Sequence, residues 1–241
     1  IAAYNYFNNG GESLLVARVK SGSYTSATGS NVTNSVNAAS SSFVLETLSE
    51  GVINNSTSPL TSNGSLTSGS DDNIRWEISN ANTGSGTFNL SIRRGNDTTA
   101  NPVVLESFNN INLDPTSTRY ISRVIGDQVL SYTPTSNQID ITSGTYQNVS
   151  RYIRIKSVSN ATPNYFGNTG SAQNEYTSSI PIDGTGSFGS ATGDVAAGAN
   201  FYDTISTQTQ GLVEGDYTNM VNLLSNSDDY QFNVLLTPGL T

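Results

Sequence analysis

Tyr4-Asn5-Tyr6-Phe7-Asn8-Asn9-Gly10-Gly11-Glu12-Ser13-Leu14-Leu15-Val16-Ala17-Arg18-Val19 reads as a helix, a glycine turn and a buried strand. Ala3, Tyr4 and Phe7 can share one helical face, and Gly10-Gly11 is the kind of pair that closes a helix. The mostly apolar run from Leu14 to Val19 then has the pattern of a strand covered on both faces. The far end repeats the order. Tyr217, Met220, Val221 and Leu224 fall at i, i+3, i+4 and i+7, an amphipathic helix, and Phe232-Asn233-Val234-Leu235-Leu236 follows before Pro238-Gly239. Helix then apolar strand at both ends predicts one α/β core domain made from residues 1–20 and 199–241, with both strands in one sheet.

Between the ends the periodicity changes to two. Ile74, Trp76 and Ile78 alternate with Arg75, Glu77 and Ser79, and Phe88, Leu90 and Ile92 repeat the pattern after a loop suited to a hairpin. Phe43-Val44-Leu45-Glu46-Thr47-Leu48, Val103-Val104-Leu105-Glu106-Ser107-Phe108, a short run around Ile139 and Ile141, and Tyr152 to Val158 are further strands. Asp114-Pro115 has the form of an N-cap and first helical residue, with Tyr120, Ile121 and Val124 at helical spacing and Gly126 as the stop. The fold class is therefore α+β: a β-rich block over residues 43–158, with one helix near 115–125, set between the two parts of an α/β core. Residues 21–42 and 159–198 read as polar loops or linkers, and residues 52–70 as a surface insertion.

Composition narrows the function classes. Only 34% of the 241 residues are hydrophobic and 12% charged, yet the chain keeps 12 Tyr, 8 Phe and a Trp and groups its apolar residues in strand-like runs, which favours a folded β-rich protein over disorder. With no His and no Cys there is no imidazole or thiolate metal site, no disulfide, and no catalytic dyad built on either residue. A net charge of -9 disfavours general nucleic-acid binding, and no apolar run is long enough to span a membrane. The chain opens on Ile1 inside an apparent helix and stops at Thr241 just past an apparent strand, so we expect an internal piece of a longer polypeptide.

Several segments, in order, resemble contractile tail sheath proteins of tailed bacteriophages. Tyr6-Phe7-Asn8-Asn9-Gly10-Gly11-Glu12 followed by Leu15-Val16-Ala17-Arg18-Val19 is similar to the family's Gly-Gly segment. Residues 73–78 and 88–92 resemble its strand pair. The most specific match is Val104-Leu105-Glu106-Ser107-Phe108-Asn109-Asn110-Ile111-Asn112-Leu113-Asp114-Pro115-Thr116-Ser117-Thr118-Arg119-Tyr120, and Leu235-Leu236-Thr237-Pro238-Gly239 resembles the family's strand ending in Pro-Gly. Residues 163–198 depart from the family, with Gly-Thr-Gly and Ala-Thr-Gly-Asp where it often has a compact turn. The resemblance implies a structural, non-enzymatic virion subunit without cofactor. Such copies form hexameric rings stacked helically around a tail tube protein, between baseplate and tail terminator proteins, and contract to drive the tube through the host envelope. It implies assembly in the host cytoplasm, and no contact with nucleic acid or insertion into membrane.

No residue is expected to be catalytic, cofactor-binding or metal-binding. Gly184-Thr185-Gly186-Ser187-Phe188-Gly189 fits G-x-G-x-x-G in form, but neither flank supplies the strand and helix that a dinucleotide site needs, so it reads as a flexible loop. Asp71-Asp72-Asn73 and Asp228-Asp229 lack the rest of a calcium loop and read as solvated turn acids or helix-end residues. Trp76 reads as a core residue rather than a sugar platform. Arg93-Arg94 and the trio Arg151, Arg154 and Lys156 hold much of the scarce positive charge; the trio is the candidate for contacts between neighbouring subunits, with a solvated strand face as the equal alternative. Three other readings stand beside the sheath: a β-rich adhesin or carbohydrate-binding module, on the polar loops and Tyr content; the sheath of a related contractile injection system; and an enzyme with paired carboxylates such as a glycosidase.

Overall fold

The computed structural model describes residues 2–17, 24–30, 41–56, 61–192 and 214–236. The chain divides into two units, residues 23–130 with 141–194, and residues 1–22 with 131–140 and 195–241. Its secondary structure is mostly β-sheet with short helices, an α+β content.

The larger unit carries two antiparallel sheets. One has the order β1 (Ser26–Ser30), β2 (Phe43–Glu50) and β8 (Ile153–Val158). The other runs β5 (Val104–Asn112), β4 (Thr87–Arg94), β3 (Ile74–Asn82) and β9 (Gly184–Ser187). The period-two pattern sets their inner faces. Ile74, Trp76 and Ile78 of β3 are 7%, 6% and 1% exposed, and Phe88, Leu90 and Ile92 of β4 are fully buried. They share one core with Phe43 and Leu45 of β2 and Ile153 and Ile155 of β8. Phe43 and Phe88 join the sheets by stacking, with centroids 5.6 Å apart and planes within 5°. Helix α2 (Ile121–Ile125) packs on β5 and β8 and adds Ile121 and Ile125 to that core.

The polar segments contribute more structure than their composition predicts. Strand β1 has no large apolar residue and lies in a stretch expected to be loop; where its register shifts near Ala27, the Thr47 hydroxyl accepts the Ala27 N–H at 2.9 Å. Strand β9 also falls in an expected loop, and Gly186 is why it fits: any side chain there would run into the Trp76 ring. Leu66, Ile180 and Phe188, all in expected surface loops, are buried. Residues 31–40, 57–60 and 193–213 lie outside the described part. Two further strands, β6 (Val129–Thr133) and β7 (Gln138–Ser143), pair as a separate two-stranded sheet.

The helix expected near 115–125 begins later. Asp114 Oδ1 accepts the Thr116 N–H at 2.9 Å, and the Ser117 N–H bonds the Asp114 carbonyl at 3.0 Å, so Asp-Pro caps a turn. The Asn112 N–H then takes the Arg119 carbonyl at 3.0 Å, which closes the loop onto β5 and delays the helix to Ile121.

In the smaller unit, α1 (Ala2–Asn8) ends as expected. Gly10 adopts φ +88°, its N–H reaches the Phe7 carbonyl at 3.1 Å, and the Gly11 N–H reaches the Tyr6 carbonyl at 3.0 Å, a Schellman closure. Helix α4 (Glu214–Leu224) is also present; α3 (Asn174–Thr177), a single turn, belongs to the larger unit. The two strands expected to join the chain ends are not formed among the described residues. Residues 14–17 and 232–236 carry no strand, and Val16 and Val234 are 77% and 74% exposed. A strand exists only where a neighbour completes its hydrogen-bond ladder, and neither run has one among the described residues. Leu236 and residues of α1 do line one open hollow of about 770 Å³. Arg18 and Val19 lie outside the described residues.

Candidate functional site

The basic trio is divided by its surroundings. Arg154 of β8 faces Glu46 of β2, its register partner, in a close ion pair, and the Lys156 ammonium meets the other oxygen of Glu46 at 2.8 Å. Both cations are thus committed within the chain, although Lys156 stays half exposed. Arg151 differs. Its backbone N–H is fixed by Glu106 at 2.9 Å, while its side chain is exposed and has no ion pair among the described residues.

The densest electrostatics lie on the outer face of the four-stranded sheet, at residues the sequence reading had only half identified. Arg75 and Arg93 are direct cross-strand partners, and both are buried. Two like charges in that position repel unless an acid lies between them. Asp97 does so: its Oδ1 accepts Arg75 Nη1 at 3.2 Å and its Oδ2 accepts Arg93 Nε at 2.7 Å. Glu77 takes Arg93 Nη1 at 3.0 Å, giving two cations and two anions. Further donors reach two loops and β9: Arg75 bonds the Gly64 carbonyl at 2.7 Å and Thr185 Oγ1 of β9 at 3.1 Å, and Arg93 bonds the Thr98 carbonyl at 2.8 Å. Burial pulls the Arg75 guanidinium below its ordinary value, and the Arg93 charge adds to this. Burial opposes the Arg93 charge too, but the bonds and charges of Asp97 and Glu77 outweigh it and raise that group. The cluster straps loops across the sheet.

A smaller hollow has a different character. It measures about 280 Å³ and lies where the β3–β4 turn, the end of β5 and residues 162–166 converge. Its lining includes Asn112, Asp114, Thr162, Asn164, Tyr165 and Phe166. Thr162 is fully buried, and its hydroxyl has no partner among the described residues. Tyr165 is held by a hydrogen bond to the Thr83 carbonyl, and its ring meets Phe166 edge-on with centroids 5.4 Å apart. Phe166 is 48% exposed.

The remaining motifs resolve as structure. The G-x-G-x-x-G match forms β9 and the buried Phe188. Asn73 is buried and organises its loop, accepting the Ser70 N–H at 2.9 Å and donating to the Ser68 carbonyl at 2.8 Å, while Asp71 pairs with Arg94 at 3.2 Å. Asp229 accepts Asn226 Nδ2 at 2.9 Å in the turn after α4. Among the described residues no group of three or more Asp or Glu could hold a metal ion, and no helix is long and apolar enough to cross a membrane. Sequence reasoning missed Arg75 and Asp97. The readable signal for them was the hairpin register, which sets Arg75 opposite Arg93 and so calls for a nearby acid. Compared with known protein families, with curated proteins and with solved structures, the chain finds no match.

Proposed function

We propose that this chain is a structural subunit of a contractile phage tail sheath, or of the sheath of a related contractile injection system. Copies form hexameric rings stacked helically around a tail tube and held between baseplate and terminator proteins. Contraction of the stack drives the tube through the host envelope. The ordered resemblances carry the name of the class. The structural observation that supports it is the pair of uncovered apolar runs, with Leu15 at 51%, Val16 at 77%, Val234 at 74% and Leu236 at 62% exposure. Exposed extended apolar segments gain stability when a neighbouring chain covers them and completes their ladders. An assembling subunit accounts for them; a solitary binding module does not.

In this reading the larger unit is a rigid body, tied by its shared core and its buried ion cluster. Movement is left to contacts between copies, which exchange one register for another. Arg151 is the member of the basic trio free to take an acid on a neighbour, and such a contact sets register more than affinity. The work comes from a free-energy difference between two packings, summed over copies, with no reaction carried out by this polypeptide.

Electron microscopy of native particles labelled with antibody against residues 138–143 tests this. The expected result is label along a striated tube that surrounds a narrower one. Label confined to fibre tips, or absent from any tube, would overturn the proposal, as would contraction that requires this polypeptide to hydrolyse ATP.

A further inference from the structure

We propose that the hollow bounded by the β3–β4 turn and residues 162–166 is a binding site for a single neutral sugar residue. The inference is independent of the sheath reading. It rests on geometry and on four groups of the lining: one buried hydroxyl without a partner, two polar side chains left unengaged among the described residues, and one exposed ring.

The Thr162 hydroxyl is the first. Buried polar groups nearly always have a partner, and this one, fully enclosed on a wall of the hollow, has none among the described residues. Asp114 is the second. One carboxylate oxygen is occupied by the Thr116 N–H and hydroxyl at 2.9 and 2.8 Å, and the other carries no hydrogen bond among the described residues. Asn164 is the third: its backbone is held at φ +52°, its carbonyl accepts Gln173 Nε2 at 2.6 Å, and its side-chain amide makes no bond among the described residues. Phe166 is the fourth. Phe is among the residues most often buried, yet this ring is half exposed at the rim, fixed edge-on to a buried Tyr165.

These groups select a ligand by exclusion. The named lining has one carboxylate and no Lys or Arg, in a chain of net charge -9, so a phosphate or other anion is repelled. Its carboxylate belongs to no group of three or more acids among the described residues that could hold a metal ion. A purely apolar ligand would leave the polar wall unsatisfied. A sugar ring answers both halves of the site: a carboxylate and an amide suit adjacent hydroxyls, and the face of C–H groups suits an aromatic ring. At about 280 Å³ the hollow lies at the small end of ligand sites, which favours one residue over an oligosaccharide.

The test is saturation-transfer NMR on the intact chain. The probes are the methyl glycosides of glucose, galactose, mannose, rhamnose and N-acetylglucosamine at millimolar concentration, with N-acetylneuraminic acid as the anionic probe. We expect transfer to at least one neutral glycoside, strongest at C–H protons of one ring face. Phe166→Ala should weaken its affinity about tenfold. Asp114→Asn should weaken it as well, and Phe166→Tyr should retain it. Arg151→Glu, away from the hollow, should leave it unchanged. Circular dichroism establishes that each variant is folded. No transfer to any neutral glycoside would overturn the proposal. So would transfer undiminished in folded Phe166→Ala, or transfer confined to N-acetylneuraminic acid.

Discussion

Replacing Asp97 with Asn removes the charge between two buried guanidinium groups and leaves the shape nearly intact. Asp97 is 3% exposed and lies 3.2 Å from Arg75 and 2.7 Å from Arg93, and its Oδ2 also accepts the Val103 N–H at 2.8 Å. At an effective dielectric constant of about 20, each of those attractions is worth about 5–6 kcal/mol before desolvation is counted. The charges were desolvated on folding, so the loss is smaller: breaking a buried pair from one side costs about 3–5 kcal/mol. Glu77 still holds Arg93, but Arg75 then faces it with its Nε already unpartnered among the described residues. The assay is urea unfolding followed by Trp76 fluorescence, because Trp76 sits in the core of the same unit. With a slope of about 2 kcal/mol per molar urea, the midpoint should fall by about 1.5–2.5 M. Asp71→Asn is the control. It breaks the Asp71–Arg94 pair, whose side chains are 70% and 40% exposed, and should cost less than about 1 kcal/mol. Adding Arg75→Met to Asp97→Asn should recover part of the loss by removing the stranded cation. If Asp97→Asn shifts the midpoint no more than Asp71→Asn does, the cluster does not strap the sheet and the reasoning fails.

Phe88→Ala empties the centre of the joint core and should cost about 3–5 kcal/mol by the same unfolding assay. Gly186→Ala puts a methyl group against the Trp76 ring, so it should destabilise the unit by about 1–3 kcal/mol and shift the emission maximum of Trp76 in the native state. Burial raises the phenols of Tyr120 and Tyr165 above the ordinary value of 10.0, so the folded protein holds these protons more tightly than the unfolded chain. Their contribution to stability is complete below that value and is lost as pH rises through the raised ones; ultraviolet titration should show late-ionising tyrosines, with unfolding accompanying their loss.

What the sequence disclosed follows from how local each cause is. Alternation along residues 74–78 and 88–92 is enough to place Ile74, Trp76 and Ile78 on one buried face, because a strand has only two faces. The glycine stop after α1 is likewise local, needing one residue at positive φ. Strands β1 and β9 were not legible, since Ser26-Ala27-Thr28-Gly29-Ser30 and Gly184-Thr185-Gly186-Ser187 owe their form to neighbours far along the chain and not to their own propensity. The apolar runs at 14–17 and 232–236 mark the opposite error. Their composition asks for a buried strand, but composition cannot supply the partner edge. The basic trio was visible as charge, whereas the Glu46 that engages two of its members comes from β2 through register alone. The hollow was invisible because its walls converge from residues 85, 114 and 162, and only folding brings them together.

The segment from Val104 to Tyr120, which carries the most specific resemblance, has a consistent physical content. Glu106 accepts the Ser150 hydroxyl at 2.6 Å and the Arg151 N–H at 2.9 Å, which positions the start of β8. Ile111 and Leu113 are fully buried, and Asp114 and Ser117 shape the turn that follows. Arg119 donates its Nε to the Asn110 carbonyl at 3.3 Å, and Tyr120 leads into α2. Glu106, Ile111 and Leu113 fix other segments, while Asp114, Ser117 and Arg119 fix the segment's own turn. Asp114 builds the turn with one oxygen and leaves the other facing no partner among the described residues. That divided use is why the proposed sugar site and the corner of the fold meet at the same residue.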